Sequence, residues 1–143
     1  MVTRSFVAVF GVIYLILGIL GFIPALSTHV PANAPSLIAT GGHGDLFGLF
    51  PVNYVSDVAN IIIGLWGLLS FPRVSAAVAY AQIMALIMTI TVTLGFFPYT
   101  NTLYGLVPLY ANDAWLHAVS ALSAAYFGWV ALAPTREEAA HAG

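Results

Sequence analysis

The chain has 143 residues, of which 61% are hydrophobic and 6% are charged, and its mean hydropathy is +0.98. Soluble domains carry about 25% charged residues, so this composition excludes a cytosolic enzyme and a disordered tail. Nucleic acid is excluded as a partner because the chain has three Arg and no Lys to neutralise phosphates. We therefore expect an integral membrane protein whose first partner is the lipid bilayer.

Four segments are long and apolar enough to cross the membrane as helices. A helix that crosses about 30 Å of hydrocarbon needs about 20 predominantly apolar residues. The segments lie at about 6–26, 54–71, 74–97 and 113–132. Each contains or adjoins a proline near its end, which is typical of a helix boundary. The sequence thus predicts an all-α, four-helix membrane bundle that forms one domain over 1–143, with a long outer loop at 27–53.

The positive charges predict the orientation of these helices. Arg4 precedes the first span, Arg73 lies between the second and third, and Arg136 follows the fourth. In a four-span chain these places share one side, which the positive-inside rule assigns to the cytoplasm. Both termini are therefore predicted to be cytoplasmic, in a bacterial inner or intracytoplasmic membrane. A cleaved signal peptide over the first span is a competing interpretation, which the internal counterpart of that span opposes.

Two motifs occur once in each half of the chain. The segment 21–24 (GFIP) matches 95–98 (GFFP), which lies 74 positions later. The segment 46–52 (LFGLFPV) matches 103–109 (LYGLVPL), which lies 57 positions later. We interpret the chain as two helical hairpins that are parallel repeats about an axis along the membrane normal.

Three polar residues inside the predicted spans are candidate cofactor-binding residues. His117 follows Asp113 by four positions, and the 57-residue offset places Asn60 at the depth of His117. Intramembrane ionisable groups indicate function by default, and a lone imidazole can ligate a haem or chlorophyll metal. The alternative interpretation is structural: Asp113 stabilises a helix N-terminus, and His117 bonds a neighbour to hold the register. The identity of any cofactor stays open.

The outer loop is the asymmetric feature of this repeated chain. It carries the insert 27–45, which contains two prolines and the run GGHGD ending at Asp45. Long loops without regular structure in compact proteins are usually functional or disordered. We therefore predict that His43 and Asp45 contact a partner.

Four segments together resemble a family of bacterial four-span membrane proteins described only as a domain of unknown function: 46–53 (LFGLFPVN), 61–68, 103–106 and 112–117 (NDAWLH). The resemblance covers essentially the whole chain, and the architecture is similar to DoxX-like four-helix bundles. Ser56, Asp57 and Asn60 stand where the family pattern leads us to expect His. The resemblance implies a fold and no activity.

The sequence contains no nucleophile elbow, phosphate loop or zinc-binding helix motif, so we do not expect an enzyme. We predict a non-catalytic accessory subunit that packs against other membrane subunits, for example of a redox or photosynthetic assembly, or against copies of itself. One alternative is a cofactor-, pigment- or quinone-binding membrane protein that uses His117 near the outer face. The other alternative is a small transporter that depends on Asp57.

Overall fold

The computed structural model describes residues 2–131 and is mostly helical, as the sequence predicts. Its four helices are α1 (Val2–Gly21), α2 (Tyr54–Ser70), α3 (Val74–Phe96) and α4 (Asn112–Ala125). A π-helical turn, Tyr126–Val130, continues α4. Three short strands, β1 (Ser27–Thr28), β2 (Gly44–Leu46) and β3 (Phe50–Val52), form an antiparallel sheet in the order β1-β2-β3.

Two helices of the described part of the chain, α1 and α3, are long and apolar enough to cross a membrane. The helix α2 has 17 residues, and α4 has 14 residues before its π-helical continuation of five. A rise of about 1.5 Å per residue makes α2 and the extended α4 about 25–30 Å long.

The first helix begins and ends earlier than the predicted span 6–26. It already includes Val2, and the Thr3 hydroxyl near its beginning donates to Phe127 O at 2.9 Å. It ends at Gly21 because Pro24 disfavours helical backbone at the preceding Ile23, whose φ is −100° and ψ is 101°. The predicted end of the fourth span at 132 and the charge of Arg136 lie outside the described residues.

The helices pack as two tight pairs, α1 with α2 and α3 with α4, and α1 also contacts α3. Glycines allow the backbones of α1 and α2 to approach closely, because a Cβ at Gly18 would lie 2.6 Å from the carbonyl oxygen of Asp57. The buried core lies where α1, α3 and α4 meet, and its largest fully buried side chains are Tyr14, Tyr80, Met84 and Met88.

The outward faces of all four helices carry large apolar side chains. They include Val9, Ile13 and Ile16 on α1, Ile62, Leu65 and Leu69 on α2, Leu86 and Ile90 on α3, and Trp115, Val119 and Leu122 on α4. Several polar side chains lie inside instead: Thr3, Asn53, Asp57, Ser70, His117 and Ser120. Large contiguous apolar surfaces of this kind are rare on water-soluble monomers.

The two ends of the bundle differ in charge. Arg4 and Arg73 lie at one end, where Arg4 Nε donates to Phe71 O at 2.8 Å and the guanidinium lies 5.0 Å from the Phe71 ring centroid. The strands and the segment 97–111 lie at the opposite end, which we call the outer end. The outer loop is more ordered than its composition predicts, because Ile38 N and Ala39 N both donate to Gly105 O.

Two turns at the outer end share a pair of residues with positive φ, although Leu103 in the second turn also has positive φ and its counterpart Leu46 lies in β2. Phe47 and Gly48 have φ values of 55° and 69°, and Tyr104 and Gly105 have φ values of 57° and 86°. The amides of Gly48 and Gly105 each donate to the carbonyl three residues earlier, both at 2.9 Å. Positive φ explains the glycine in each turn, since other residues adopt it at a cost.

Candidate functional site

A cavity of about 200 Å³ lies near the outer end, between α2, α3 and α4; we call it the bundle cavity. Its walls are mainly aliphatic. The chain segment 103–109 and strand β3 line the part nearest the outer end, through Leu103, Val107, Leu109, Pro51 and Val52. Such an apolar enclosure with few polar groups is the usual form of a small-molecule site.

His117 and Asp113 form a pair on one face of α4 that borders the bundle cavity. Their spacing of four residues places them one helical turn apart. The Nδ1 atom of His117 lies 3.1 Å from Oδ2 of Asp113, and both side chains are nearly buried, at 11% and 13% exposed. The contact between Nδ1 and the carboxylate is close but does not have the geometry of a hydrogen bond. The Nε2 atom forms no hydrogen bond with any described residue.

Asn60 reaches the same cavity from α2 and is partly exposed. The structure therefore brings all three predicted cofactor-binding residues to the wall of one cavity. Its amide forms no hydrogen bond with residues 2–131, so the carbonyl and the NH₂ group are both free for a ligand. The polar part of the wall thus offers an amide from α2 and an imidazole from α4.

The bundle cavity reaches the outside of the bundle at two of its lining residues, one on α2 and one on α3. Ala59 on α2 and Ile87 on α3 line the cavity and are also exposed on the outside of the bundle. The outer faces of these helices are apolar, as described above. A ligand that enters between them would therefore come from an apolar phase.

The packing of Tyr14 adds a polar contact next to the bundle cavity. The Tyr14 hydroxyl lies 2.8 Å from Ser120 Oγ and 3.6 Å from Met88 Sδ. Met88 lines the cavity, and Ser120 lies one turn after His117 on α4. This contact joins α1, α3 and α4 directly beside the candidate site. Sequence reasoning did not identify Tyr14, since nothing in the sequence pairs α1 with α4.

Asn53 holds the outer-end segments that border the bundle cavity. Its side-chain oxygen accepts from Ser56 N at 2.9 Å, and Ser56 Oγ accepts from Asn53 N at 2.9 Å, which together form a capping box at the start of α2. Its Nδ2 donates to Ala39 O at 2.9 Å and to Leu106 O at 2.7 Å. The sequence identified Asn53 as part of a family-like motif; its position before a helix is the signal for a cap.

His43 and Asp45, the predicted partner contacts, lie at the outer end and away from the bundle cavity. His43 Nε2 lies 3.0 Å from the Tyr110 hydroxyl, so this residue joins the outer loop to the segment before α4. Burial lowers the pKa of His43, and the Asp45 charge opposes that shift. Burial also raises the pKa of Tyr110. Asp45 lies in β2, and its carbonyl accepts from the Thr28 hydroxyl at 3.3 Å.

Asp57 lies outside the bundle cavity. Its carboxylate is fully buried and packs against Gly21 at the end of α1, where a side chain at position 21 would collide with it. Neither carboxylate oxygen has a hydrogen-bond partner among the described residues. The acid that the transporter alternative requires is thus part of the α1–α2 contact.

The described residues include no group of three His, Cys, Asp or Glu side chains that would hold a metal ion. A single His ligand, such as His117 Nε2, is a different arrangement and needs a cofactor that supplies its own metal ligands. The volume of the bundle cavity limits the size of the cofactor that could bind beside His117. Ligand and cofactor sites of drug size or larger span about 300–1,000 Å³, so a tetrapyrrole does not fit inside about 200 Å³.

Comparison with known proteins identifies one family. A family model described as a domain of unknown function (DUF4383) matches residues 4–130. No curated protein and no solved structure matches the chain. The match confirms the expected relationship to a family of unknown function and names no activity.

Proposed function

The chain belongs to the DUF4383 family, a domain of unknown function, and from its geometry we propose a membrane protein that binds a small lipid-soluble molecule in the bundle cavity. The ligand class is a single ring with hydroxyl or carbonyl groups and an apolar tail, as in quinones and quinols. The role is binding rather than catalysis. We infer that all four helices span the bilayer, with both termini on the cytoplasmic side.

The distribution of side chains supports four spans rather than two. The outward faces of α2 and α4 carry large apolar side chains like those of α1 and α3, and Ile62, Leu65, Val119 and Leu122 would be exposed to water if the isolated chain placed α2 and α4 outside the bilayer. Arg4 and Arg73 lie together at the end opposite the strands. The positive-inside rule then places the outer end, with the bundle cavity, on the non-cytoplasmic side.

The backbone hydrogen bonds support two repeated hairpins. The bonds from Gly48 N to Asp45 O and from Gly105 N to Thr102 O are 57 positions apart at both donor and acceptor. The bonds that follow α1 and α3 match at the other offset, since Ile23 N donates to Leu20 O and Phe97 N donates to Leu94 O. A repeat gives each hairpin the same turn at the same depth, and it explains why α2 and α4 both present a polar residue near the cavity.

One observation carries the binding proposal: Asn60, Asp113 and His117 meet at a mainly aliphatic cavity that also reaches the apolar outer faces of α2 and α3, at Ala59 and Ile87. Because Nδ1 faces Asp113, we assign the proton of the neutral imidazole to Nδ1, which leaves Nε2 as an acceptor. A ligand hydroxyl would donate to Nε2, and a ligand carbonyl would accept from the Asn60 amide. The volume of about 200 Å³ suits one ring, with the tail extending between Ala59 and Ile87.

The proposal is tested by extracting the ligand from purified protein. The full chain is purified from bacterial membranes in mild detergent, and bound small molecules are identified by mass spectrometry and absorbance. We expect a ring compound of the quinone class in the wild-type protein, at close to one per chain. His117→Gln removes the Asp113-oriented imidazole from a buried site, and roughly tenfold weaker binding is expected. The matched control is His29→Gln, at an exposed histidine outside the bundle cavity.

Equal occupancy in wild-type and His117→Gln protein, or no bound ring compound in either, would contradict the binding proposal.

The accessory-subunit prediction has its own readout in the same experiment, because other membrane subunits would co-purify. The exposed apolar helix faces would suit lipid and a partner helix equally. The transporter alternative remains a prediction that substrate flux in liposomes depends on Asp57.

A further inference from the structure

The polar side chains that line the bundle cavity offer a ligand mainly hydrogen-bond acceptors. Ser56 Oγ donates its proton to Asn53 O at 2.8 Å, and Thr91 Oγ1 donates its proton to Ile87 O at 2.8 Å. A hydroxyl has a single proton, so each of these two oxygens has only lone pairs left for a ligand. The Asp113 carboxylate, which also lines the cavity, likewise offers lone pairs alone.

The His117 imidazole adds another acceptor, because its contact with Asp113 determines which ring nitrogen carries the proton. Nδ1 lies 3.1 Å from Asp113 Oδ2, and a lone pair on Nδ1 would place two acceptors against each other. The proton is therefore assigned to Nδ1 and the lone pair to Nε2. Of the two nitrogens, Nδ1 is closed to water, whereas Nε2, which no described residue binds, is open. A ligand in the cavity can thus reach the acceptor Nε2.

Asn60 is the exception, because its amide can act in either direction. Its NH₂ group donates hydrogen bonds and its carbonyl oxygen accepts them. Asn60 therefore accommodates a ligand carbonyl and a ligand hydroxyl alike, and it does not select between them. Among the described residues that line the cavity, Asn60 also has the one side-chain donor that is left for a ligand.

We propose, on the basis of the binding function proposed above, that the bundle cavity selects the reduced dihydroxy ring, a quinol, over the quinone. A quinol brings two O–H donors to a wall of acceptors, whereas a quinone brings two carbonyl acceptors and finds one donor, at Asn60. A quinone carbonyl opposite His117 Nε2 would leave two acceptors unpaired in a largely apolar site, which is costly. His117 then determines the specificity, and Asp113 is a positioning residue that acts through the imidazole.

The test compares a para-benzoquinone that carries a decyl tail with its quinol, on the full chain in mild detergent under argon. The dissociation constants of both forms are measured by equilibrium binding at one pH, relative to protein-free micelles, which corrects for the partition of each form into detergent. We expect the wild-type protein to bind the quinol at least about tenfold more tightly than the quinone, since a buried acceptor without a partner costs a factor of that order.

Asp113→Asn should bring the ratio of the two dissociation constants close to one. A side-chain amide can donate to Nδ1 as well as accept from it, so it no longer fixes the tautomer of His117. Asp45→Asn is the matched control, because it is the same substitution at an acidic residue of the outer end that does not line the bundle cavity. The ratio separates positioning from a structural role, since a loss of structure would weaken the binding of both forms alike.

His117→Gln keeps the test decisive if Asp113→Asn fails to fold, because the Gln amide also donates and accepts and should remove the preference for the quinol. Equal binding of both forms by the wild-type protein, or tighter binding of the quinone, would overturn the selectivity and leave the binding function in place. The same ratio in Asp113→Asn and Asp45→Asn would overturn the role of Asp113. Absence of binding for both forms would instead contradict the binding function itself, and the selectivity with it.

Discussion

Asn53 connects three segments that are far apart in the sequence: the start of α2, the middle of the outer loop at Ala39, and the turn at Leu106. Its side chain is fully buried, and its oxygen and nitrogen are both used. A single amide thus holds together the chain segments next to the bundle cavity. The contribution of the Asn53 side chain to the free energy of unfolding can be measured by removing it, because the backbone atoms that it binds remain in place.

We predict that Asn53→Ala lowers the free energy of unfolding by about 2 kcal/mol, because the helix loses its cap and two carbonyls lose a donor. Thermal unfolding in detergent measures this change. Asn33→Ala is the matched control: Asn33 is an exposed asparagine of the same loop, and its loss should change the stability by less than about 0.5 kcal/mol. Equal melting temperatures for Asn53→Ala and Asn33→Ala would contradict the role of Asn53.

His43 makes the stability of the outer end depend on pH. Because burial lowers its pKa from the ordinary 6.5, the unfolded chain takes up the proton at a higher pH than the folded chain does. The stability it contributes is therefore complete above about pH 6.5 and is lost as the pH falls toward the lowered pKa. We expect the melting temperature to fall more between about pH 7 and about pH 5 in the wild type than in His43→Gln. The Gln amide does not titrate and can still bond Tyr110, so parallel pH profiles would refute this prediction.

The residues of the candidate site were accessible to sequence reasoning to different degrees. Asp113 and His117 form a pair by helical spacing alone, and the repeat offset placed Asn60 at the same depth. The contact of Tyr14 with Ser120 was not predictable, because it depends on which helices are neighbours in the bundle. The bonds from Asn53 to Ala39 and Leu106 depend on the path of the outer loop, which composition does not determine.

At the scale of the elements, the contact between α1 and α2 is made by backbone against backbone. A Cβ at Gly64 would collide with the backbone amide of Leu15 and lie 2.7 Å from the carbonyl oxygen of Gly11. The small residues were visible in the sequence, but their partners were not. The predicted helix bounds were closest where a cap or a tight turn is encoded, as at Tyr54 after Asn53, and least accurate at Gly21, where the apolar run continues past the helix.

We predict that Gly64→Ala destabilises the protein by about 2–3 kcal/mol, because the added methyl forces two backbones apart. The melting temperature in detergent reports the loss. Gly41→Ala serves as the control, since the exposed Gly41 has an ordinary φ and its Cβ would meet only the Tyr54 ring, which can shift. A Gly64→Ala protein as stable as the Gly41→Ala protein would mean that α1 and α2 are not packed this closely.

At the scale of the whole molecule, the apolar exterior and the charge difference between its ends predict four spans with the outer end outside the cytoplasm. The chain has no cysteine, so single thiols can be introduced at exposed serines. Ser36→Cys in the outer loop should react with a membrane-impermeant thiol reagent on intact cells. Ser75→Cys, beside Arg73 at the start of α3, should react only after the cells are opened. Labelling of Ser75→Cys on intact cells would contradict the proposed orientation.

The most direct test of the central proposal is an experimental structure of the full chain in nanodiscs of native membrane lipid. We predict density for a single ring inside the bundle cavity, within hydrogen-bond distance of His117 Nε2, with a tail that leaves between Ala59 and Ile87. A bundle cavity that contains only water, or that is closed by contact of α2 with α3, would contradict the binding function.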